Sequence, residues 1–418
     1  MRQPSQGVIV AGAGIGGLTL ALMLHQRGVP VRLYEQASEV REIGVGINTL
    51  PHAIKELDLL GLLPVLDRTG IRTRELIYLN RFGQKVWSEL RGMQAGAPVP
   101  QFSIHRGRFQ KVLYDAAVER LGPDAVVTGM KLAAFDQDEG GVTVHFTGAE
   151  DGMTSRTVRG DCLIAADGIH SAARKLLYPG EGRPSWNGVM MWRGATEFPQ
   201  YLDGETMFIG GGMGAKFVLY PIADAEPDEV GPRRLTNWVV NVKVADGATQ
   251  PPPKDSWSRK GRMNDYLPYG LRFRVPGVDI EALIRQTEAA WEYPMCDRDP
   301  LPRWTFGRVT LMGDAAHPMY PVGSNGASQA ILDARALADQ LAGAEHPMAA
   351  LQTYEKKRRG PTAAIVEANR KGGPEGVIDE VEKLKPEGFD DVDKVLSVQA
   401  RAQIIQRATG VWPKSSCG

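Results

Sequence analysis

The sequence predicts an α/β fold in which a Rossmann-like βαβ unit precedes a second region rich in strands. The apolar run "GVIVAG" (7–12), the helically spaced run "GGLTLALMLHQRG" (16–28) and the apolar run "VPVRLYEQ" (29–36) indicate strand, helix and strand. A unit of this kind favours two parallel strands joined by a right-handed crossover. Four further runs typical of strands lie between residues 183 and 296.

The intervening elements follow from the same local patterns. Residues 73–90 predict a hairpin around Phe82-Gly83, and "SIHRGRFQKVLYDAAVERLG" (103–122) predicts a helix that ends at Gly122. Short alternating strands are expected from about 126 to 166, and helices at about 324–341 and 347–370. The charged segment 371–394 is interrupted by Gly and Pro, which indicates a peripheral appendage.

Composition excludes several classes of partner. The chain has 418 residues, which suits two to three joined domains. Its 49 basic and 49 acidic side chains cancel, which argues against nucleic acid or an anionic membrane as the main partner. Three distant cysteines (Cys162, Cys296 and Cys417) favour a reducing cytoplasm and argue against a disulfide framework or a metal site. Since no run of 18 apolar residues occurs, no membrane span is expected.

The first motif predicts a dinucleotide site. Gly12, Gly14 and Gly17 spell G-x-G-x-x-G directly after a strand and at the start of a helix. These glycines permit a tight turn, close approach of a pyrophosphate and close contact between helix and strand. Glu35 ends the second strand, where its carboxylate is suited to accept a ribose hydroxyl. From this motif alone, NAD and FAD are equally good candidates for the bound dinucleotide.

Two later bends favour FAD over NAD. After the run "GRVTLM", Gly313-Asp314 places an acid where a sugar-like hydroxyl chain would pass. The following "PVGSNGA" (321–327) offers backbone N–H groups at a helix start to the edge of a planar ring. Asp167-Gly168 forms a third strand-to-helix bend, for which a plain turn capped by the aspartate is an equally good interpretation.

Together the three motifs resemble the class A flavoprotein monooxygenases, the single-component aromatic hydroxylases of the para-hydroxybenzoate and salicylate hydroxylase type. The resemblance covers residues 7 to about 370. The segments "GVGINTLPHA", "SIHRGRFQKVL", "MWRG" and "YPMCDRDPLPRW" are most similar to the phenazine-carboxylate monooxygenases. The resemblance implies FAD as the cofactor and NAD(P)H as a co-substrate without a nucleotide fold of its own.

The resemblance also implies a domain division. It implies an FAD-binding domain over 1–72, 98–182 and 297–365, and a substrate domain with a mostly antiparallel sheet over 73–97 and 183–296. Residues 366–418 would then be a C-terminal helical appendage. A monomer or a homodimer is expected, and the sequence does not decide between them.

Residues are assigned to three groups, the cofactor-binding residues by the same likeness and the substrate and catalytic candidates from their position and side-chain chemistry. The implied cofactor-binding residues are Gly12, Gly14, Ile15, Gly16, Gly17, Glu35, Gln36, Val45, Gly46, Arg106, Asp167, Gly168, Asp314, Pro321, Gly323, Ser324, Asn325 and Gly326. The candidate substrate residues are Met191, Arg193, Tyr220, Met295 and Pro321, and the candidate catalytic residues are Tyr220 and His317. Each of three candidates also has a structural interpretation. Tyr220 could pack in the core, Arg193 could form an ion pair within the sheet, and His317 could pack near the flavin loop.

The implied reaction is hydroxylation of an aromatic or N-heteroaromatic ring, with a carboxylate-bearing substrate favoured. NAD(P)H would reduce FAD, O2 would add at flavin C4a, and the hydroperoxide would pass one oxygen to the ring. The alternatives are another flavin enzyme of this fold, such as a reductase or halogenase-like enzyme, and a non-catalytic FAD-binding protein. The halogenase signature W-x-W-x-I-P does not occur in the sequence. The choice between NADH and NADPH, and the question of decarboxylation, stay open.

Overall fold

The computed structural model describes residues 6–42, 44–148, 155–229, 231–246 and 259–409. The strands in chain order are β1 (Val8–Ala11), β2 (Val31–Tyr34), β3 (Gly46–Thr49), β4 (Ile71–Thr73), β5 (Glu75–Leu79), β6 (Lys85–Leu90), β7 (Gln101–His105), β8 (Val126–Val127), β9 (Met130–Asp138), β10 (Gly141–Gly148), β11 (Ser155–Gly160), β12 (Cys162–Ala165), β13 (Ser185–Pro199), β14 (Thr206–Gly210), β15 (Ala215–Asp228), β16 (Gly231–Lys243), β17 (Arg259–Lys260), β18 (Ala290–Asp297), β19 (Thr305–Phe306) and β20 (Val309–Leu311). The helices are α1 (Ile15–Gln26), α2 (Pro51–Asp58), α3 (Leu63–Thr69), α4 (Arg106–Leu121), α5 (Ala172–Leu177), α6 (Met263–Gly270), α7 (Ile280–Gln286), α8 (Gly326–Ala342), α9 (Pro347–Arg370), α10 (Gly376–Leu384) and α11 (Val398–Thr409).

The predicted βαβ unit lies at the centre of a six-stranded sheet with the order β19-β20-β12-β1-β2-β8. As predicted, α1 connects β1 to the parallel strand β2, and β1 also pairs in parallel with β12. Because β20 pairs in parallel with β12, the bends that follow β1, β12 and β20 emerge at the same edge of the sheet. The topology therefore brings together three motifs that are far apart in the sequence.

A second, eight-stranded sheet has the order β17-β18-β13-β16-β15-β14-β5-β6. Adjacent strands in this sheet are antiparallel except for β14 and β5, which are parallel. The predicted hairpin β5–β6 thus joins the strands of the later β-rich region. One face packs against α6 and α7, with Phe217, Trp238 and Leu283 fully buried between them. Side chains on the opposite face, including Tyr220, turn toward Gly46, the first residue of β3.

Two smaller antiparallel sheets, β3-β7-β4 and β11-β10-β9, complete the strands. The strand β7 corrects one prediction, because Ser103, Ile104 and His105 belong to it and α4 begins only at Arg106. Pairing with β3 and β4 on both sides outweighs the helical spacing of this stretch. The imidazole of His105 then accepts a hydrogen bond from the backbone N–H of Arg108 at 3.3 Å and caps the helix.

The C-terminal segment is not peripheral, contrary to expectation. Val377, Ile378 and Val381 of α10 are fully buried in a cluster that includes Tyr78 and Val86 of the large sheet. Their helical spacing forms one apolar face, which the surrounding charged residues and glycines hide in the sequence. The predicted domain boundaries themselves stay predictions.

Two further expectations concern thiols and membranes. Cys162 and Cys296 are buried and carry free thiols, while Cys417 lies outside the described residues. Within the described ranges, no helix combines the length and the apolar character needed to cross a membrane.

Candidate active site

The bend between β1 and α1 depends on glycine for close backbone contact. Gly12 has a φ of +108°, and a Cβ there would lie 2.4 Å from the carbonyl oxygen of Ala166. A Cβ on Gly17 would lie 2.0 Å from the carbonyl oxygen of Gly12. Gly14 is the N-cap of α1, provides no side-chain cap, and would point a Cβ into open space. The amino end of α1 therefore keeps N–H groups available for an anion.

Glu35 directly follows β2, as predicted, and its carboxylate accepts hydrogen bonds from the backbone. One oxygen accepts from the N–H of Ala13 and the other from the N–H of Ala37, both at 2.8 Å. The neighbouring Gln36 is exposed. Contact of Glu35 and Gln36 with a ribose stays a prediction.

The three bends and the large sheet enclose a cavity of about 410 Å³. Its lining residues that were predicted to bind the cofactor are Gly14, Ile15, Gly16, Gly17, Gly46, Arg106, Gly168, Asp314, Pro321, Ser324, Asn325 and Gly326. Its lining residues that were predicted to contact substrate are Met191, Arg193, Tyr220 and Pro321. One continuous space therefore connects the dinucleotide motif to the strand face of the large sheet.

Asp314 and Arg106, an acidic and a basic side chain, both line this cavity. The Asp314 side chain is open to the cavity while protein surrounds it, and this burial raises the pKa of Asp314. The charges of His317 and Arg106 oppose that rise. A carboxylate accepts hydrogen bonds from hydroxyl groups, and a guanidinium donates to phosphate oxygens. This pair suits a polyhydroxyl chain that continues into a phosphate.

A second helix start faces the cavity at the bend before α8. Gly323 and Ser324 have φ values of +65° and +59°, so the non-glycine residue also adopts the left-handed region. Asn325 is the N-cap of α8 but provides no side-chain cap, and its Nδ2 donates to the carbonyl oxygen of Gly323 at 3.2 Å. Gly326 begins the helix, and a Cβ there would meet no atom within 4 Å. The uncapped N–H groups are free for an electronegative ring edge.

Asp167 acts as a cap and also leaves one oxygen unpaired. Its Oδ2 accepts from the N–H of Ala172 at 2.7 Å and of Ala173 at 3.3 Å. Its Oδ1 is buried without a hydrogen-bond partner among the described residues, and burial raises the pKa of Asp167. Gly168 has a φ of +78° and lines the cavity. The aspartate thus caps the helix as one interpretation predicted, while contact of Asp167 and Gly168 with a cofactor stays a prediction.

The large sheet holds the junction between β3 and the loop before it through the backbone N–H and carbonyl of Gly46, the first residue of β3. The Gly46 N–H donates to Oδ1 of Asn237 at 2.8 Å, and the Gly46 carbonyl accepts from the Tyr220 hydroxyl at 2.8 Å. Nη2 of Arg193 donates to the same carbonyl. A Cβ on Gly46 would lie 2.6 Å from the Tyr220 ring. Three strands of the sheet therefore fix the position of this loop.

This arrangement bears on the roles predicted for Tyr220 and Arg193. Burial raises the pKa of Tyr220, and its hydroxyl is a donor to Gly46, so the observed geometry favours positioning over proton abstraction. Arg193 is bound to the backbone rather than to an acidic partner in the sheet. Its buried Nε has no hydrogen-bond partner among the described residues, so the guanidinium keeps a donor near the cavity.

His317 does not reach the cavity. It is buried, and its Nε2 contacts Oδ2 of Asp333 at 2.6 Å. The same oxygen accepts from the N–H of Gly313 at 3.0 Å, and Nε of Arg358 donates to Oδ1 of Asp333 at 2.6 Å. Burial of Asp333 opposes its ionisation, but the charges of His317 and Arg358 lower its pKa to about 2. The geometry therefore corrects the catalytic assignment of His317, which supports the bend that carries Asp314.

Seven other predicted residues also lie outside the cavity lining, namely Gly12, Glu35, Gln36 and Asp167, described above, and Met295, Val45 and Gly323. Met295 is buried in a cluster with Val189 and Val322, and its sulfur accepts from Nδ2 of Asn187 at 3.3 Å. Val45 is buried beside Gly46, and Gly323 forms the turn without lining the space. A substrate contact by Met295 is thus not supported, because the strand directs its side chain into the packing.

Several lining residues were not among the residues assigned to the cofactor, the substrate or catalysis. They are Ile47, Asn48, Ala166, Met207, Ile209, Val218, Val239, Asn241, Met312, Gly313, Met319, Tyr320, Ala327, Ala330 and Glu375. Alternation along β15 could have indicated Val218, two residues before Tyr220. No local signal could have indicated Glu375, because it enters from the C-terminal segment that resembles an appendage.

Comparison with known proteins agrees with the motifs. The chain matches the family described as FAD binding domain over residues 5–261 and 283–369. It is 45% identical to a phenazine 1,6-dicarboxylic acid hydroxylase of Lysobacter antibioticus over 366 residues, covering 87% of this chain and 89% of the relative. It is 30% identical to 3-hydroxybenzoate 6-hydroxylase 1 of Aquipseudomonas alcaligenes over 369 residues, covering 86% of each chain.

Solved structures show the same fold. The Klebsiella pneumoniae protein HpxO, complexed with FAD and uric acid, is 25% identical with a TM-score of 0.73, covering 97% of this chain and 96% of the other. A salicylate hydroxylase substrate complex is 24% identical with a TM-score of 0.73, covering 97% and 94%. The chain therefore belongs to the FAD binding domain family and, within it, to the class A flavoprotein aromatic monooxygenases, with FAD as its cofactor.

Proposed function

We propose that this chain hydroxylates a carboxylate-bearing aromatic or N-heteroaromatic ring, with NAD(P)H and O2 as co-substrates. The observation that carries the proposal is the single cavity that connects the uncapped starts of α1 and α8 to the apolar face of the large sheet. A phenazine carboxylic acid is the substrate that we favour, because the relative with 45% identity is a phenazine 1,6-dicarboxylic acid hydroxylase.

The chain's residues fit FAD along the whole cavity. Gly14, Gly168 and Gly326 line it, and a Cβ on each would project into open space, so their missing side chains create the cradle. We propose that the start of α1 holds the pyrophosphate and that Asp314 holds the ribityl hydroxyls. The start of α8 would then face the electronegative edge of the flavin ring.

The chemistry that FAD supplies when bound is the transfer of two electrons from NAD(P)H to O2, so that one oxygen atom enters the ring and the other leaves as water. The protein orients the ring and excludes water. Met207, Ile209 and Val218 form an apolar wall over the cavity. Nε of Arg193 is the donor that we propose for the substrate carboxylate.

The test is oxidation of NADH and of NADPH by the FAD-loaded protein in air, with and without phenazine 1,6-dicarboxylic acid. We expect oxidation that depends on O2 and rises with the aromatic acid, and a product that has gained one oxygen atom. A product that has also lost carbon dioxide would establish decarboxylative hydroxylation. Reduction of FAD without an oxygenated product from any aromatic acid would favour a reductase, and no reduction would favour a binding protein.

We also propose a cytoplasmic location for the protein. The support is chemical, because both described cysteines, Cys162 and Cys296, carry free thiols. Fractionation of cells that produce the protein, with activity and flavin absorbance measured in each fraction, tests this proposal.

A further inference from the structure

The C-terminal segment contributes a buried carboxylate to the cavity. Glu375 lies just before α10, lines the cavity and is 5% exposed. Its carboxylate forms an ion pair with Nζ of Lys216, which is 4% exposed. An unpaired charge at such depth would be costly, so the two residues hold each other in place.

The register of the large sheet places a second acceptor beside this pair. Lys216 on β15 is opposite Asn241 on β16, and both share a face with Val218 and Val239, which line the cavity. Asn241 also lines the cavity, and its Oδ1 is buried without a hydrogen-bond partner among the described residues. The cavity therefore has two hydrogen-bond acceptors next to Lys216.

The same register separates these acceptors from Arg193. Asn241 pairs with Met191 on β13, and Arg193 lies two residues farther along that strand. Two residues of an extended strand span about 7 Å. A cationic donor and a pair of acceptors thus lie at different positions along one apolar wall, at a separation that suits opposite edges of a fused aromatic ring system.

We infer that Glu375 and Asn241 form a donor-recognition site, which selects substrates with a hydroxyl or ring N–H group on the edge away from Arg193. The inference rests on the proposed function, because it assumes that the cavity binds an aromatic substrate. The Glu375 carboxylate is ion-paired with Lys216, and hydrogen bonds to a charged acceptor are stronger than neutral ones.

The test compares two neutral probes that differ by one donor, 1-hydroxyphenazine and phenazine. Their dissociation constants for the FAD-loaded protein are measured at pH 7 by equilibrium dialysis, which does not depend on turnover. We expect the hydroxylated probe to bind at least about tenfold more tightly to the unmodified protein. In Glu375→Gln the preference should fall to about threefold or less.

Two further variants keep the test independent of folding defects. Asn241→Leu removes the neutral acceptor without changing charge, and it should reduce the preference about threefold. Glu380→Gln makes the same change as Glu375→Gln at an exposed position of the same segment, and it should leave the preference unchanged. Equal binding of both probes to the unmodified protein, or an unchanged preference in Glu375→Gln and Asn241→Leu, would overturn the inference.

Failure of the proposed function has a different signature. If neither phenazine binds, the phenazine scaffold is wrong, and the same contrast is measured with 3-hydroxybenzoate and benzoate. A preference for 3-hydroxybenzoate that Glu375→Gln removes would support the donor-recognition site with another substrate. Absence of binding by all four compounds would overturn both proposals.

Discussion

The Tyr220 hydroxyl donates a 2.8 Å hydrogen bond to the carbonyl oxygen of Gly46, a residue 174 positions earlier in the chain. This bond connects the large sheet to the loop that lies beside the proposed flavin position. Because Nη2 of Arg193 binds the same carbonyl, the loop is held from two strands at one oxygen atom. Positioning of this loop, rather than proton transfer, is the role that the geometry indicates for Tyr220.

Tyr220→Phe tests this role through two measurements, the fraction of NAD(P)H oxidation that yields product and the pH dependence of kcat/KM. The variant loses one hydrogen bond of about 0.5–1.5 kcal/mol, so the loop is held less firmly while the substrate site keeps its ionisable groups. We expect a smaller fraction of the NAD(P)H consumed to yield product, more hydrogen peroxide, and an unchanged pH profile of kcat/KM. Tyr201→Phe is the matched control, since the Tyr201 hydroxyl binds the carbonyl oxygen of Thr206. Loss of one limb of the pH profile in Tyr220→Phe alone would show that the hydroxyl is a base.

Asp314→Asn tests the proposed ribityl contact. Replacing a charged acceptor by a neutral one lowers the binding free energy of FAD by about 1.5–3 kcal/mol, so FAD should bind about tenfold to a hundredfold more weakly. The measurement is quenching of flavin fluorescence as the deflavinated protein is titrated with FAD. Asp299→Asn alters a carboxylate that is 80% exposed and should leave FAD affinity unchanged. Equal FAD affinity in the Asp314 variant would remove this residue from the cofactor site.

Asp333→Asn tests the buried cluster under the Asp314 bend. The carboxylate binds His317, Arg358 and the N–H of Gly313, so its neutralisation leaves a buried arginine poorly compensated. We expect the free energy of unfolding to fall by about 3–5 kcal/mol, measured by denaturant titration. Asp339→Asn on the same helix breaks two surface ion pairs, with Arg27 and Arg335, and the free energy of unfolding should fall by less than about 2 kcal/mol. Equal losses in both variants would contradict a structural role for the cluster.

His52 should make the folded protein sensitive to acid. Burial, and secondarily the charge of Arg358, lowers the pKa of His52 from 6.5 to about 4. Between these values the unfolded chain binds a proton that the folded chain does not, so stability falls as the pH falls from about 6.5 to 4. Titration of His52 alone should lower the free energy of unfolding by about 2 kcal/mol between pH 7 and pH 5.

The measurement is the free energy of unfolding at both pH values for the unmodified protein and for His52→Gln, which has no group that titrates in this range. The difference between the two pH values should be smaller in His52→Gln by about 2 kcal/mol. An identical pH dependence in both proteins would show that His52 is solvated in the folded state.

Local patterns were sufficient to predict FAD as the cofactor and the bends that we propose hold it. The glycines of the first bend, the acid after β20 and the glycine-rich start of α8 were all recognisable, because each has a stereochemical requirement that few residue types meet. The predictions were weaker for side chains whose partners are distant. The imidazole of His317 points at Asp333, and the thioether of Met295 points into a packed cluster, and neither orientation follows from its neighbours in the chain.

The amino-acid order alone determined the βαβ unit, the three strand-to-helix bends and hence the kind of cofactor. These features depend on contacts within a few residues, such as the close approach of Gly17 to Gly12. Only the tertiary structure decided that α10 is part of the core, that Gly46 is held by the large sheet, and that Glu375 lines the cavity. These depend on contacts between residues more than a hundred positions apart, and burial and strand register create such contacts only once the chain has folded.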